Sequence, residues 1–124
     1  MKEIISTSKA APAVGPYSQA VKTEQFIFVS GEKGLDISGR LIEGGIVKQT
    51  RQALENIKAI LEAAGSSLNN IVTVNIYMTD LSKFDEMNRV YAEYFPKNRP
   101  ARVTVSVAAL PVGAGIEIAA IALS

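Results

Sequence analysis

Residues Ile116 to Leu123 constrain this chain more than any other segment. Ile116, Ile118, Ala120 and Ala122 alternate with Glu117, Ala119, Ile121 and Leu123, a period of two that reads as a strand with side chains pointing to two faces in turn. Both faces are apolar apart from Glu117, so the strand belongs in a sheet that is covered on each side.

Two segments of the chain can supply a cover. From Ile46 to Ala64, Ile46, Ala53, Leu54, Ile57, Ile60, Leu61 and Ala64 recur at three- and four-residue spacing, while Lys48, Arg51, Glu55, Lys58 and Glu62 take the other side and Gly65 follows. This predicts an amphipathic helix with Arg51/Glu55 and Lys58/Glu62 one turn apart on a solvated face and a glycine stop. A second helix is predicted from about Lys83 to Phe95, capped by Ser82 with Asp85 reaching back and ended by Pro96. Its inward face carries Phe84, Met87, Tyr91 and Tyr94 or Phe95, with Asn88 close to that face.

Strand patterns occupy Ser18 to Lys22, Phe26 to Ser30, Ile71 to Met78, Arg102 to Val107 and Ile116 to Leu123, with a short one near Glu3 to Ser6. Thr23-Glu24-Gln25 permits only a hairpin, and Leu110-Pro111-Val112-Gly113-Ala114-Gly115 carries turn residues for another between the last two strands. The expected fold is α+β, one domain over residues 1–124, with a mixed sheet and both helices on one face. Its second face is left without a cover from the same chain, which predicts self-association.

Composition removes whole classes of chemistry. The 124 residues include no cysteine and no histidine, which excludes disulfides, thiolate nucleophiles, cysteine-based zinc sites, Ser-His-Asp triads and the commonest general base. Thirteen basic and twelve acidic side chains give a net charge of +1 without runs of either sign, so nucleic acid is not an expected partner. No apolar run approaches the roughly 20 residues of a membrane span, and the start of the chain has no signal-peptide pattern. A cytoplasmic protein without a membrane partner is expected.

What remains for chemistry is sparse. In Pro100-Ala101-Arg102-Val103-Thr104-Val105-Ser106-Val107, the valines take one face, and Arg102, Thr104 and Ser106 take the other. A guanidinium fixed on a strand is either a bidentate clamp for a small carboxylate or an ordinary strand arginine paired with an acid. Across the expected final hairpin Arg102 and Glu117 are the only charges, and they form either one shared site or a simple ion pair at the sheet interface. Tyr17, in Gly15-Pro16-Tyr17-Ser18, and Ser30-Gly31, at a strand end, are further positions where a hydroxyl or a bare backbone can meet a ligand. Asp80, Asp85 and Glu86 are explained by helix capping rather than by a metal, and the glycine-rich loop from Gly31 to Gly45 lacks the pattern of a phosphate cradle.

Taken together, Gly15-Pro16-Tyr17-Ser18-Gln19-Ala20, Phe28-Val29-Ser30-Gly31, Gln49-Thr50-Arg51-Gln52-Ala53-Leu54-Glu55-Asn56-Ile57, Asn88-Arg89-Val90-Tyr91, Pro100-Ala101-Arg102 and Leu110-Pro111 through Ile116-Glu117-Ile118 closely resemble the RidA (YjgF-like) family over nearly the whole chain. The resemblance implies a chorismate-mutase-like α+β fold, a homotrimer with clefts between subunits, and cofactor-free hydrolysis of reactive 2-imino acids, made by pyridoxal-phosphate enzymes, to 2-keto acids and ammonia. On that likeness Arg102 binds the substrate carboxylate, Glu117 positions the attacking water, and Tyr17, Ser30, Gly31, Asn88 and Thr104 line the cleft. Departures are Glu32 for a frequent glutamine, Lys33-Gly34 for a more apolar pair, Thr104 where some members have cysteine, and Ala119 for a frequent glutamate. The alternative functions are carboxylate sensing without turnover and a chaperone-like or regulatory interaction role.

Overall fold

The computed structural model describes all residues, 1–124. Six strands, β1 (Glu3–Ile5), β2 (Ala20–Lys22), β3 (Phe26–Lys33), β4 (Ile71–Met78), β5 (Ala101–Ser106) and β6 (Ile116–Leu123), form one sheet in the order β1-β2-β3-β6-β4-β5. Two helices, α1 (Gly45–Ala63) and α2 (Phe84–Tyr94), link β3 to β4 and β4 to β5. The β2–β3 hairpin is as expected, and β4 and β5 run parallel through the α2 crossover.

The final hairpin is not formed. β6 lies between β3 and β4, antiparallel to both, and β4 separates it from β5. The chain from β5 to β6 crosses the end of β4, where the Val107 amide donates to the Met78 carbonyl at 2.8 Å and the Thr79 amide to the Gly115 carbonyl at 3.2 Å. Its two apolar faces explain the position: β6 buries most in the interior of the sheet, and β5, with its arginine and hydroxyls, takes the edge.

Both helices pack on one face. Ile27, Val29, Val74, Ile76, Met78, Ile116, Ile118 and Ala120 meet Ile46, Leu54, Ile57, Ile60 and Leu61 of α1 and Met87 and Tyr91 of α2 in one buried cluster. Gly65, at φ +82°, follows α1 in the left-handed conformation that glycine tolerates. The cap of α2 differs from the expected one. Asp80 accepts from the Ser82 amide and opens a short 3₁₀ turn at Leu81–Lys83, and α2 then begins at Phe84 without a side-chain cap. The charges of α1 also pair elsewhere: Arg51 forms a two-pronged pair with Glu93 of α2 (2.9 and 3.2 Å), and Glu55 accepts from the Tyr94 hydroxyl at 2.6 Å. Contacts with α2 replace the Arg51/Glu55 pair.

The other face of the sheet is open within the chain. Phe28, Val103, Val105 and Leu123 are 45%, 54%, 40% and 47% exposed, large apolar side chains left uncovered on strands β3, β5 and β6. No helix is long and apolar enough to cross a membrane.

Candidate active site

Arg102 sits on the edge strand in register with Val74 of β4, which is in register with Ala120 of β6. Both neighbours are buried on the helix side, so Arg102 points to that side, as does Thr104 two residues on. Val103 and Val105, beside Asn75 and Tyr77, point to the open face. The reason is local. At the flank of α2 the guanidinium lies 4.7 Å from the centre of the Tyr91 ring and 5.6 Å from that of Phe84, so aromatic faces support the charge.

Arg102 has no acidic partner. The ion pairs of the molecule are Lys33–Glu117 and Arg51–Glu93. A cavity of about 420 Å³ opens beside it, lined by Asn88, Tyr91, Ala92, Arg99, Pro100 and Arg102. The hydroxyls of Tyr91 and Thr104 are buried without a hydrogen-bond partner, groups that are costly to bury and that a ligand or ordered water can satisfy. Burial pushes the Tyr91 phenol above its ordinary value of 10 while Arg102 and Arg99 pull it down, so it remains a neutral O–H donor near pH 7.

Glu117 belongs to a second cluster. On β6 it is in register with Tyr77 and with Lys33, and Lys33 Nζ stands 3.6 Å from its Oε1. Gly31, at the irregularity in β3, lies against the Glu117 side chain so closely that a methyl group built there would overlap the carboxylate. Ser30 joins the Tyr17 loop to this cluster: its hydroxyl donates to the Ser18 carbonyl at 2.6 Å and its amide to the Gln19 carbonyl at 3.0 Å. Gln19, buried, accepts from the Thr7 amide and donates to the Thr7 and Ala11 carbonyls, which fixes the loop from behind. Tyr17 itself is exposed and precedes β2 instead of opening it.

The expected residues therefore form two groups. Arg102, Asn88 and Thr104 share the helix-side edge; Glu117, Gly31 and Ser30, with Tyr17 on the attached loop, belong together elsewhere. Since Tyr77 pairs with both Glu117 and Val105, Glu117 faces as Val105 does and opposite to Arg102. Within one chain Arg102 and Glu117 neither share a site nor form an ion pair, because parity along the strands turns them to opposite faces.

Three participants were less visible in the sequence. Lys33 and Glu32 stood out only as departures, and Arg99 not at all. Glu32 is buried on the helix side, in register with Ile118. Burial pushes its carboxyl up to about 8, with Lys33 pulling down and Glu117 pushing up.

An α+β chain with both helices on one face of a six-stranded mixed sheet, carrying an unpaired edge-strand arginine and a separate glutamate cluster, defines a class for which close relatives exist. The family model described as endoribonuclease L-PSP matches residues 7–124. A RutC family protein of Pyrococcus horikoshii is 53% identical over 98% of both chains. The 2-iminobutanoate/2-iminopropanoate deaminase of Mus musculus is 46% identical over 99% of this chain and 92% of its own. The crystal structure of RidA from the Antarctic bacterium Psychrobacter sp. superposes with a TM-score of 0.95 at 46% identity, covering 98% of this chain and 99% of the other. The chain belongs to the endoribonuclease L-PSP family, the one that contains the RidA proteins.

Proposed function

We propose that this protein is a 2-iminobutanoate/2-iminopropanoate deaminase, hydrolysing 2-imino acids to 2-keto acids and ammonium in clefts between the copies of a homotrimer. The observation that carries this reading is Arg102, a guanidinium with no acid partner, propped on Tyr91 beside a cavity without acidic residues. Its fork matches a carboxylate with two parallel hydrogen bonds. The deaminase relatives support the activity at 46% identity over nearly the whole chain.

The division of the site supports an assembly of copies. Arg102 and Glu117 face opposite sides of the sheet, so one substrate meets both only where two copies join. The exposed Phe28, Val103, Val105 and Leu123 supply an apolar surface for that junction.

The chemistry asks little of the protein beyond placement. A protonated imine is already an electrophile; Arg102 anchors its carboxylate, and Tyr17, Ser30, Gly31, Asn88 and Thr104 surround it. Glu117 accepts a proton from a water whose oxygen forms the new bond to C2, and the C=N electron pair moves to nitrogen. The carbinolamine then takes that proton back on nitrogen. Its C–N bond breaks with the pair leaving on ammonia, the hydroxyl proton follows to give ammonium, and the carbonyl remains. Water and the iminium supply every atom, so no cofactor enters the balance.

The test couples a threonine or serine dehydratase to a semicarbazide trap. The protein should divert imine from the trap while keto acid forms faster. Arg102→Ala should abolish this, and Arg102→Lys should restore little, because an ammonium keeps the charge and loses the fork. Glu117→Gln should still bind a 2-keto acid while hydrolysis slows. Folded variants at both positions with normal turnover would overturn the mechanism, and keto-acid binding without turnover in the wild type would make the protein a sensor.

A further inference from the structure

Within one chain, the cavity beside Arg102 is lined by two cationic side chains. Arg99 lines it with Arg102, and none of the six lining residues is acidic. Neither arginine takes part in an ion pair. Arg99 is held in place by its own backbone contact: its Nε donates to the Phe95 carbonyl, four residues earlier, at 2.7 Å, leaving the terminal nitrogens of the guanidinium for other partners. Both cations act on the Tyr91 phenol, whose hydroxyl is buried and unpartnered. Asn88 adds an amide to the same wall.

Two guanidinium forks line one recess, and a single carboxylate satisfies one of them. We propose that this cavity is a two-carboxylate subsite, in which Arg102 takes the 2-carboxylate and Arg99 takes a second carboxylate at the end of the substrate's side chain. Resting on the deaminase reading, this sets the favoured substrates as the imines of acidic amino acids, with the 2-imino acids of short aliphatic side chains accepted as weaker ligands. Arg99 is then a specificity-determining residue. The Phe95 carbonyl holds Arg99 at the cavity wall, and the Tyr91 hydroxyl is free to donate to a bound carboxylate. A cavity of about 420 Å³ leaves room for a five-carbon dicarboxylate.

Stable keto acids test this without turnover. Calorimetric titration of the wild type should show 2-oxoglutarate binding about tenfold or more tighter than 2-oxobutanoate, with the preference shrinking as salt is raised. Arg99→Gln should bring the ratio of the two affinities close to one, and Arg99→Lys should keep part of it. Equal affinities in the wild type, or a preference that survives Arg99→Gln, would overturn the subsite whether or not 2-iminobutanoate is hydrolysed. A preference that depends on Arg99 in a protein that hydrolyses no imine would leave the subsite standing and remove the deaminase reading instead. Binding of neither keto acid would overturn both.

Discussion

Glu32→Gln tests the electrostatics of the sheet most directly. Glu32, on β3 beside Ile118 of β6, is 5% exposed, and its carboxyl is pushed from 4.5 up to about 8, first by burial and then against Lys33 and with Glu117. That displacement is worth roughly 5 kcal/mol between the two protonation states, which is the ceiling on what the charged form costs the fold. The sign follows from proton counting. Between about pH 4.5 and 8 the folded chain keeps a proton that the unfolded chain releases, so stability falls as pH rises, by at most about 1.4 kcal/mol per pH unit, and levels off above pH 8. Glutamine keeps the shape and carries no charge. At pH 4.5 the variant and the wild type should unfold within about 1 kcal/mol of each other, whereas at pH 9 the variant should be the more stable by several kcal/mol. Urea unfolding followed by far-ultraviolet circular dichroism, at one protein concentration and at half-unit steps from pH 4.5 to 9, gives both curves. Parallel pH profiles for the two proteins would refute the reasoning, because they would mean that Glu32 carries the same charge in both states.

Val105→Lys puts a charge on the open apolar face, 40% exposed in the single chain; if the proposed trimer forms, light scattering should show the wild type as trimer and the variant as monomer, with deaminase activity lost in proportion. Gly31→Ala should fold with a loss of about 1–3 kcal/mol and lose most activity, since its methyl displaces the Glu117 carboxylate; near-normal turnover would separate Glu117 from catalysis. Gln19→Ala strands the Thr7 amide and the Thr7 and Ala11 carbonyls, so thermal unfolding should report a loss of about 2–4 kcal/mol, and hydrogen exchange should quicken in the residues that precede β2.

Much of the architecture was legible because periodicity is local. The helix expected over Ile46 to Ala64 is α1 at Gly45–Ala63, that over Lys83 to Phe95 is α2 at Phe84–Tyr94, and β4 and β6 have the expected bounds. Side-chain alternation likewise separated Arg102 and Thr104 from Val103 and Val105, and the apolar alternation of β6 marked the face that packs on the helices. Strand neighbours are a different matter. Turn residues before Gly115 are compatible with a hairpin or with a crossing over the end of β4, and only the pairing of both β6 edges, with β3 and with β4, selects the crossing. That choice places β4 between Arg102 and Glu117 and turns them to opposite faces, a relation no local pattern contains. The pairing of Lys33 with Glu117, the burial of Glu32 and the meeting of Arg99 with Arg102 around Tyr91 depend on the same long-range register. The sequence alone determined which residues could carry chemistry, because residue type and spacing are written in it; tertiary structure decided which of them meet, because contact depends on distances between strands and helices far apart along the chain.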